Sequence, residues 1–481
     1  MLLSTTLSPR SLTVLLPLAV LGIAFTTRAS QSLGYDELFT LWVSSRSWDD
    51  LIHQANLDGF TPPLFYGLVK LLSFAGFQNE DLRVLPVIFA GLAGFLGFQA
   101  CERLFGAGSR TMALLVIPGS AYLFSFSHEL RPYSALLACA LFFLGQLGGA
   151  GDNRSDVRAG WAALLATAFS YLGMFMVALW VIECRRRLST LRLAGMSLAA
   201  LTMSAPGIVK AAGLAIARID SRAVWWDAQP ALFATFFGLS PVPSTGWIEV
   251  VSLILLASLL VVAHRCGELP PLRFLVRTFL AWTAILVAFD SVVPIGFAPR
   301  YFALPMSALL LLLVGVLSRM GRMGPAIALL LLGMNGIATF RYLTVRPPPR
   351  EDWREAMTRL EKRLGPGGVL LAFPFHHAAV AAHVYAPGLR LGGGYTSRTG
   401  PVFWYDPPAS FRGYAFEGLR RLDDTDAVLG GLASASDLCL LSDEPDVTKI
   451  TSVFAAFERL PGVAAFATGD SRLRALCRPK G

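Results

Sequence analysis

The sequence predicts an all-α polytopic membrane protein of about eleven transmembrane helices, with a small α/β domain at its C-terminal end. Three observations predict it. Of the 481 residues, 54% are hydrophobic and only 15% charged, and mean hydropathy is +0.56, a balance foreign to a water-soluble globule of this length. Apolar runs of helical length recur from Leu12 to Tyr342, and each can cross roughly 30 Å of hydrocarbon. Beyond Arg346-Pro347-Pro348-Pro349, a stiff linker, the composition becomes that of a soluble domain.

The first run, 12–27, reads as an uncleaved transmembrane helix rather than a signal peptide, because Arg28 stands where small residues would guide cleavage. A polar first outer loop follows, about 29–83, and then runs at 84–100, 111–127 and 132–147. The segment 161–182 would, as one crossing, put Arg185-Arg186-Arg187 on the same side as Asp36. Read as two short helices going out and back, with a break at 170–173, it returns the basic run to the cytoplasm. Further crossings are expected at 191–212, 247–263, 274–289, 301–317 and 326–342. Basic residues then gather in the inner loops, from Arg10, Arg103 and Arg110 through Arg185 to Arg319 and Arg322, and the acids gather outside. The N-terminus is expected in the cytoplasm and the C-terminal domain outside it. The stretch opened by Thr61-Pro62-Pro63-Leu64-Phe65-Tyr66 is short and carries Lys70, so an interfacial or re-entrant helix is expected there.

Two domains follow: 1–343 as the membrane body and 344–481 as the soluble domain. In the latter, 351–364 is an amphipathic helix with Trp353, Met357, Leu360 and Leu364 on one face. Strands are expected at 368–373, 437–441, 464–468 and 472–477, the last two joined as a hairpin at Gly469-Asp470. The net charge of +9 is read by sidedness in a membrane protein and does not point to nucleic acid. The six cysteines include no C-x-x-C pair. Cys439 and Cys477 share the tail and are free to pair if it faces an oxidising space.

Charged residues near bilayer depth are expensive and mark candidate sites. Asp36-Glu37, just beyond the first helix, offers a general base with a neighbouring acid; the alternative is an N-capping, solvated pair. His128-Glu129-Leu130-Arg131-Pro132-Tyr133 puts a carboxylate, a guanidinium and a phenol on one outer turn, where they can converge on a charged ligand or simply snorkel at the interface. Arg300-Tyr301 starts a span, where an arginine suits a phosphate better than it suits the helix dipole. Asp49, Asp50, His53 and Asp58 read mostly as helix caps. His376 and His383 could share a helix face near His377, but no third ligand with metal spacing accompanies them. Trp225-Trp226-Asp227 reads as an interfacial anchor.

Together, Tyr35-Asp36-Glu37, Thr61-Pro62-Pro63-Leu64-Phe65-Tyr66, Glu129-Leu130-Arg131-Pro132-Tyr133, Arg300-Tyr301 and Asp352-Trp353-Arg354-Glu355-Ala356 resemble bacterial glycosyltransferase family 39 proteins. These are relatives of the protein O-mannosyltransferases and of the aminoarabinose transferase that modifies lipid A. The resemblance implies a GT-C fold in the bacterial inner membrane and a polyprenyl-phosphate-linked sugar as donor, with a lipid, glycan or other acceptor. It makes Asp36 the candidate catalytic base, with Glu37 beside it. Glu129 would orient the acceptor or a cation, while Arg131, Arg300 and Tyr301 would hold the donor phosphate. Tyr35, His53, Asp58, His128 and Tyr133 are candidate substrate contacts, and a divalent cation at Asp36 and Glu129 is a further option. Thr61 departs from the family, standing where many relatives carry His. A transporter or lipid flippase is the rival class; it would place its ionisable residues at mid-span, on repeated halves.

Overall fold

The computed structural model describes residues 9–149, 152–216, 247–265, 269–292, 299–344, 352–365, 368–373, 375–396, 402–405, 420–421 and 438–442, with parts of 455–478. The expected Trp225-Trp226-Asp227 anchor, the proline linker and the Gly469-Asp470 turn lie outside these residues. In chain order the helices are α1 (Pro9–Thr27), α2 (Tyr35–Ser44), α3 (Trp48–Asp58), α4 (Pro63–Phe74), α5 (Val84–Phe105), α6 (Arg110–Val116), α7 (Ala121–Ser127), α8 (Tyr133–Leu147) and α9 (Asn153–Phe169). They continue as α10 (Met174–Cys184), α11 (Thr190–Ile216), α12 (Trp247–Arg265), α13 (Pro270–Val292), α14 (Ala303–Leu317), α15 (Met323–Thr344), α16 (Trp353–Leu364) and α17 (Phe375–Tyr385). The chain divides into two units. One comprises Met1–Ser30, Ala55–Phe77 and Asp81–Pro348; the other comprises Gln31–Gln54, Gln78–Glu80 and Pro349–Gly481.

The first unit is helical throughout its described residues. Five stretches there are long and apolar enough to cross a membrane: Asn79–Phe105, Thr190–Gly213, Pro270–Phe289, Arg300–Leu317 and Met323–Arg341. Other expected crossings fall on shorter apolar helices, Tyr133–Leu147 and Ile254–Ala263 among them. At the centre lies α14, an unbroken apolar helix whose every residue from Ala303 to Leu317 is buried. Beside it α5 and α8 approach closely, because Gly145 faces Ala100 where a Cβ would come within 2.7 Å of the alanine methyl.

The expected single crossing at 111–127 is instead two short helices, α6 and α7. Pro118 has no N–H to continue the ladder, and Ser120 restarts it, its side chain accepting from Leu123 N at 3.4 Å. The break leaves donors to satisfy inside apolar surroundings. Asn335 of α15 meets this need, its Oδ1 accepting from Ala121 N at 2.8 Å. The out-and-back pair is observed as α9 and α10, parted by an extended Ser170 and a 3-10 turn, Tyr171–Gly173. The second helix returns along the first, since Trp180 Nε1 donates to the Asp156 carbonyl at 2.6 Å and Arg187 lies 3.2 Å from the Asp156 carboxylate.

The second unit is a seven-stranded mixed sheet with helices. Its strands are β1 (Val369–Phe373), β2 (Arg390–Thr396), β3 (Val402–Tyr405), β4 (Arg420–Arg421), β5 (Leu438–Ser442), β6 (Ala464–Ala467) and β7 (Arg474–Cys477), in the order β4-β3-β2-β1-β5-β7-β6. β1 runs parallel to both β2 and β5, and its Val-Leu-Leu-Ala-Phe sequence is buried throughout, as a strand covered on both faces must be. α16 buries Trp353, Met357, Leu360 and Leu364, the face its periodicity predicts. Cys439 and Cys477, directly opposed on β5 and β7, form a disulfide.

Candidate functional site

The acidic pair opens α2, and the helix gives its two carboxylates different work. Gly34 is the extended N-cap residue, and Glu37, three positions on, turns back so that its Oε2 accepts from Gly34 N at 3.0 Å. Glu37 is 3% exposed and committed to this cap, the alternative the sequence left open for it. Asp36 is half-buried in the same first turn, where the helix dipole favours its anion. Every residue from Glu37 to Ser44 is buried, so the helix is fixed along its length.

What surrounds that turn comes from the far end of the chain. The Tyr35 ring lies over His377 with centroids 4.0 Å apart, and meets His376 edge-on at 5.6 Å. The two imidazoles are 4.4 Å apart. Burial, then the neighbouring His377, push the His376 pKa down to about 3, so that ring is neutral at physiological pH. Further along α2, Ser45 Oγ pairs with His383 Nε2 at 3.2 Å. The same unit holds the other end of the first loop. Tyr385 Oη donates to Glu80 Oε1 at 2.8 Å, accepts from Leu33 N at 3.3 Å, and shares Glu80 with Arg354 Nη1 at 3.3 Å. Burial, reinforced by the Glu80 charge, pushes the Tyr385 pKa upward, so the phenol stays protonated and donates.

In the first unit the candidates cluster on the turn between α7 and α8. His128 is fully buried, with Nε2 2.8 Å from Thr27 Oγ1 and Nδ1 3.0 Å from Ser127 Oγ, so it ties α7 to the end of α1. Glu129 is half-buried and its carbonyl accepts from Arg131 N at 2.7 Å. Arg131 is only 7% exposed. Tyr133 is buried against the Phe126 ring at 5.5 Å. Arg300 and Tyr301 occupy a 3-10 turn, Pro299–Phe302, that leads into α14, with the guanidinium 5.6 Å from the Tyr301 ring centre. Asp58 is 3% exposed; its Oδ2 accepts from Thr61 N at 3.2 Å and Tyr66 Oη at 3.1 Å, which shapes the turn into α4. His53 is exposed on α3.

An apolar cavity of about 520 Å³ lies in the first unit between α1, α5, α6 and α7. It runs from Arg110 past Gly94 and Phe98 to Phe124 and Ser127, two residues before Glu129. That volume is typical of small-molecule pockets. Among the described residues no three His, Cys, Asp or Glu side chains gather as metal ligands. Asp36 belongs to the second unit and Glu129, Arg131 and Arg300 to the first.

Sequence reasoning did not find the ring contacts of Tyr35, the Glu80–Tyr385 bond, or fully buried Arg83, whose Nη1 donates to the Arg28 carbonyl at 2.9 Å. The tail histidines were the visible signal. Their partners lie more than 330 residues away in sequence, as the separation of Ser45 from His383 shows.

The architecture is similar to that of ArnT from Cupriavidus metallidurans in the apo state, with a TM-score of 0.58 at 12% sequence identity over 96% of this chain and 97% of that one. The ArnT structure bound to undecaprenyl phosphate gives 0.57 at the same identity and coverage. No family model matches the chain, and no curated protein matches its sequence. In class, the chain is a polytopic membrane protein. Its fold is the one seen in ArnT.

Proposed function

We propose that the protein is a membrane glycosyltransferase of the family 39 type, moving a sugar from a polyprenyl-phosphate donor to an acceptor hydroxyl on the extracytoplasmic side. The observation that carries this reading is the division of labour on α2. Glu37 serves the cap, while Asp36 stands half-buried in the first turn of a buried helix, where the dipole favours its anion. The likeness of the fold to ArnT supports this reading, and the residues of the site supply its chemistry.

A sugar linked to lipid phosphate leaves readily once the phosphate charge is compensated, and Arg131 and Arg300 are the guanidinium groups assigned to that task. What remains is to orient the acceptor hydroxyl and take its proton as it attacks the anomeric carbon, which falls to Asp36. The new C–O bond forms as the bond to phosphate oxygen breaks. The proton passes to Asp36 and the polyprenyl phosphate departs with the electron pair. A single displacement inverts the anomeric centre. The cavity beside α7 offers an apolar berth for the isoprenoid tail, ending next to the Glu129–Tyr133 turn. No step here runs through a metal. The Cys439–Cys477 disulfide supports an oxidising, extracytoplasmic setting for the tail.

The test is a membrane preparation assayed with a panel of radiolabelled polyprenyl-phosphate sugars, wild type against Asp36→Asn. Transfer by the wild type alone is expected, with a product of inverted anomeric configuration. Equal turnover by the variant removes Asp36 from the mechanism, and no transfer from any donor returns the chain to the transporter or flippase class.

A further inference from the structure

The tail histidines and the Glu80 bond are not explained by binding a donor or an acceptor. They share one property: each touches the segment that carries Asp36, Glu80 through Tyr385 and Arg354. Tyr35, the residue before Asp36, has one face against the His377 ring at 4.0 Å and an edge contact with His376 at 5.6 Å. Leu33, just upstream, donates its N–H to Tyr385 Oη at 3.3 Å, and Arg354 N donates to Ser32 Oγ at 3.3 Å. Glu80, at the opposite end of the loop, accepts the Tyr385 hydrogen bond, pairs with Arg354 and is 7% exposed. All of these residues lie in one unit.

We propose that the C-terminal domain is a positioning device for the base. His377 is the positioning residue that holds Tyr35, and Tyr385 the one that ties Leu33 to Glu80, so that the first turn of α2 presents Asp36 in one orientation. This rests on the reading of Asp36 as the base. The physical argument is local. Asp36 is at the start of its helix, where ends fray unless held, and a general base misplaced by about 1 Å can cost about a hundredfold in rate. The Glu37 cap fixes the backbone of that turn from within. The imidazole against Tyr35 fixes it from outside. A histidine suits the position because its flat ring packs at a tilt against the phenol; its charge plays no part in the assignment.

The experiment uses the full-length protein in membranes and the labelled undecaprenyl-phosphate sugar that the wild type transfers. His377→Ala should lower kcat about 10- to 100-fold with the donor KM unchanged, since the donor's contacts are untouched. His377→Phe, which keeps a flat ring on Tyr35, should restore most of the turnover. Tyr385→Phe breaks the tie to Leu33 without changing packing, and should give a smaller kcat loss. In the same variants, amide hydrogen exchange over residues 35–40 should quicken in His377→Ala and return to normal in His377→Phe. Three outcomes overturn the proposal: wild-type kcat in His377→Ala, equal loss in His377→Ala and His377→Phe, or a loss that appears in KM. If His377→Ala does not fold, the Tyr385→Phe and His377→Phe pair decides. Turnover persisting in Asp36→Asn overturns the base assignment and this proposal together, whereas inactive Asp36→Asn with unaffected His377→Ala overturns this proposal alone.

Discussion

The turn at His128–Tyr133 and the turn at Gly34–Glu37 both carry charged candidates, yet they are built in opposite ways. The first is tied within the membrane body, to Thr27 at the end of α1 as well as to adjacent residues. His128 is held by Ser127 and Thr27, Arg131 N by the Glu129 carbonyl, and Tyr133 by Phe126. The second owes its cap to Glu37 but its surroundings to His376, His377 and Tyr385. A turn clasped by a separate domain can be disturbed by anything that loosens that domain, and this gives the tail a part in chemistry it does not itself perform.

The sharpest break in this comparison is between adjacent carboxylates. Asp36→Asn should lower turnover by about 10²- to 10⁴-fold, the usual worth of a general base. Glu37→Gln, whose amide oxygen can still accept from Gly34 N, should keep turnover within a few-fold. Glu37→Ala, which cannot, should lower the thermal stability of the protein by about 0.5–2 kcal/mol. Initial rates and melting curves on the same three preparations separate the roles. Loss of transfer in Glu37→Gln equal to that in Asp36→Asn would mean that both carboxylates react.

The next effect in size belongs to the second unit alone. Cys439 and Cys477 are 38 residues apart, and opening a loop of that length costs about 2–4 kcal/mol. Cys439→Ser with Cys477→Ser should expose the tail to protease while the membrane helices stay resistant, and a reducing agent should do the same to the wild type. If transfer falls in step with tail stability, the clasp on α2 is sharpened. If transfer survives an unfolded tail, the two regions work independently.

In the first unit the matching test is Asn335→Leu. It strands the Ala121 N–H at the α6–α7 break, where an unsatisfied buried donor costs about 1–3 kcal/mol. Thermal unfolding in detergent should show this loss while protease resistance of the tail is unchanged.

These differences also explain what could be read from the sequence. The amphipathic face of α16, the strands β1, β5, β6 and β7, and the α9–α10 turn at Ser170–Gly173 are visible because each is written in a local pattern of apolar residues or breakers. β2 was not visible. Its core is Gly392-Gly393-Gly394, which reads as loop, yet it pairs in parallel with β1, and Gly393 has φ +135° with its Cβ direction 2.1 Å from the Ala372 carbonyl oxygen. Only glycine fits there, so the residue that makes the strand possible hides it. The α6–α7 break had a signal in Pro118, masked by the hydropathy of its flanks. The partners of Tyr35 had none. Contacts between residues 35 and 377 follow from how the chain returns on itself, and no periodicity records that.

The last effect is one of pH, and it sharpens the same contrast because it arises at the clasp. His376 has its pKa lowered to about 3 by burial first and then by His377, against an ordinary value of 6.5. His383 is lowered as well, by burial first and then by Arg46. The unfolded chain therefore binds protons at these rings below about pH 6.5 that the folded chain refuses. Their contribution is intact above that pH, falls as pH drops from 6.5 toward 3, and levels off below. The His376 ring adds a slope of at most about 1.4 kcal/mol per pH unit, and the exposed His383 ring a shallower one. Hydrogen exchange at the β1 amides across this window should show the tail weakening while α14 does not. His376→Phe keeps an aromatic edge against Tyr35 but cannot take up a proton, so it should flatten the profile and leave only the shallower slope due to His383. A profile unchanged by that substitution would place the acid sensitivity elsewhere, and would free the clasp from any part in it.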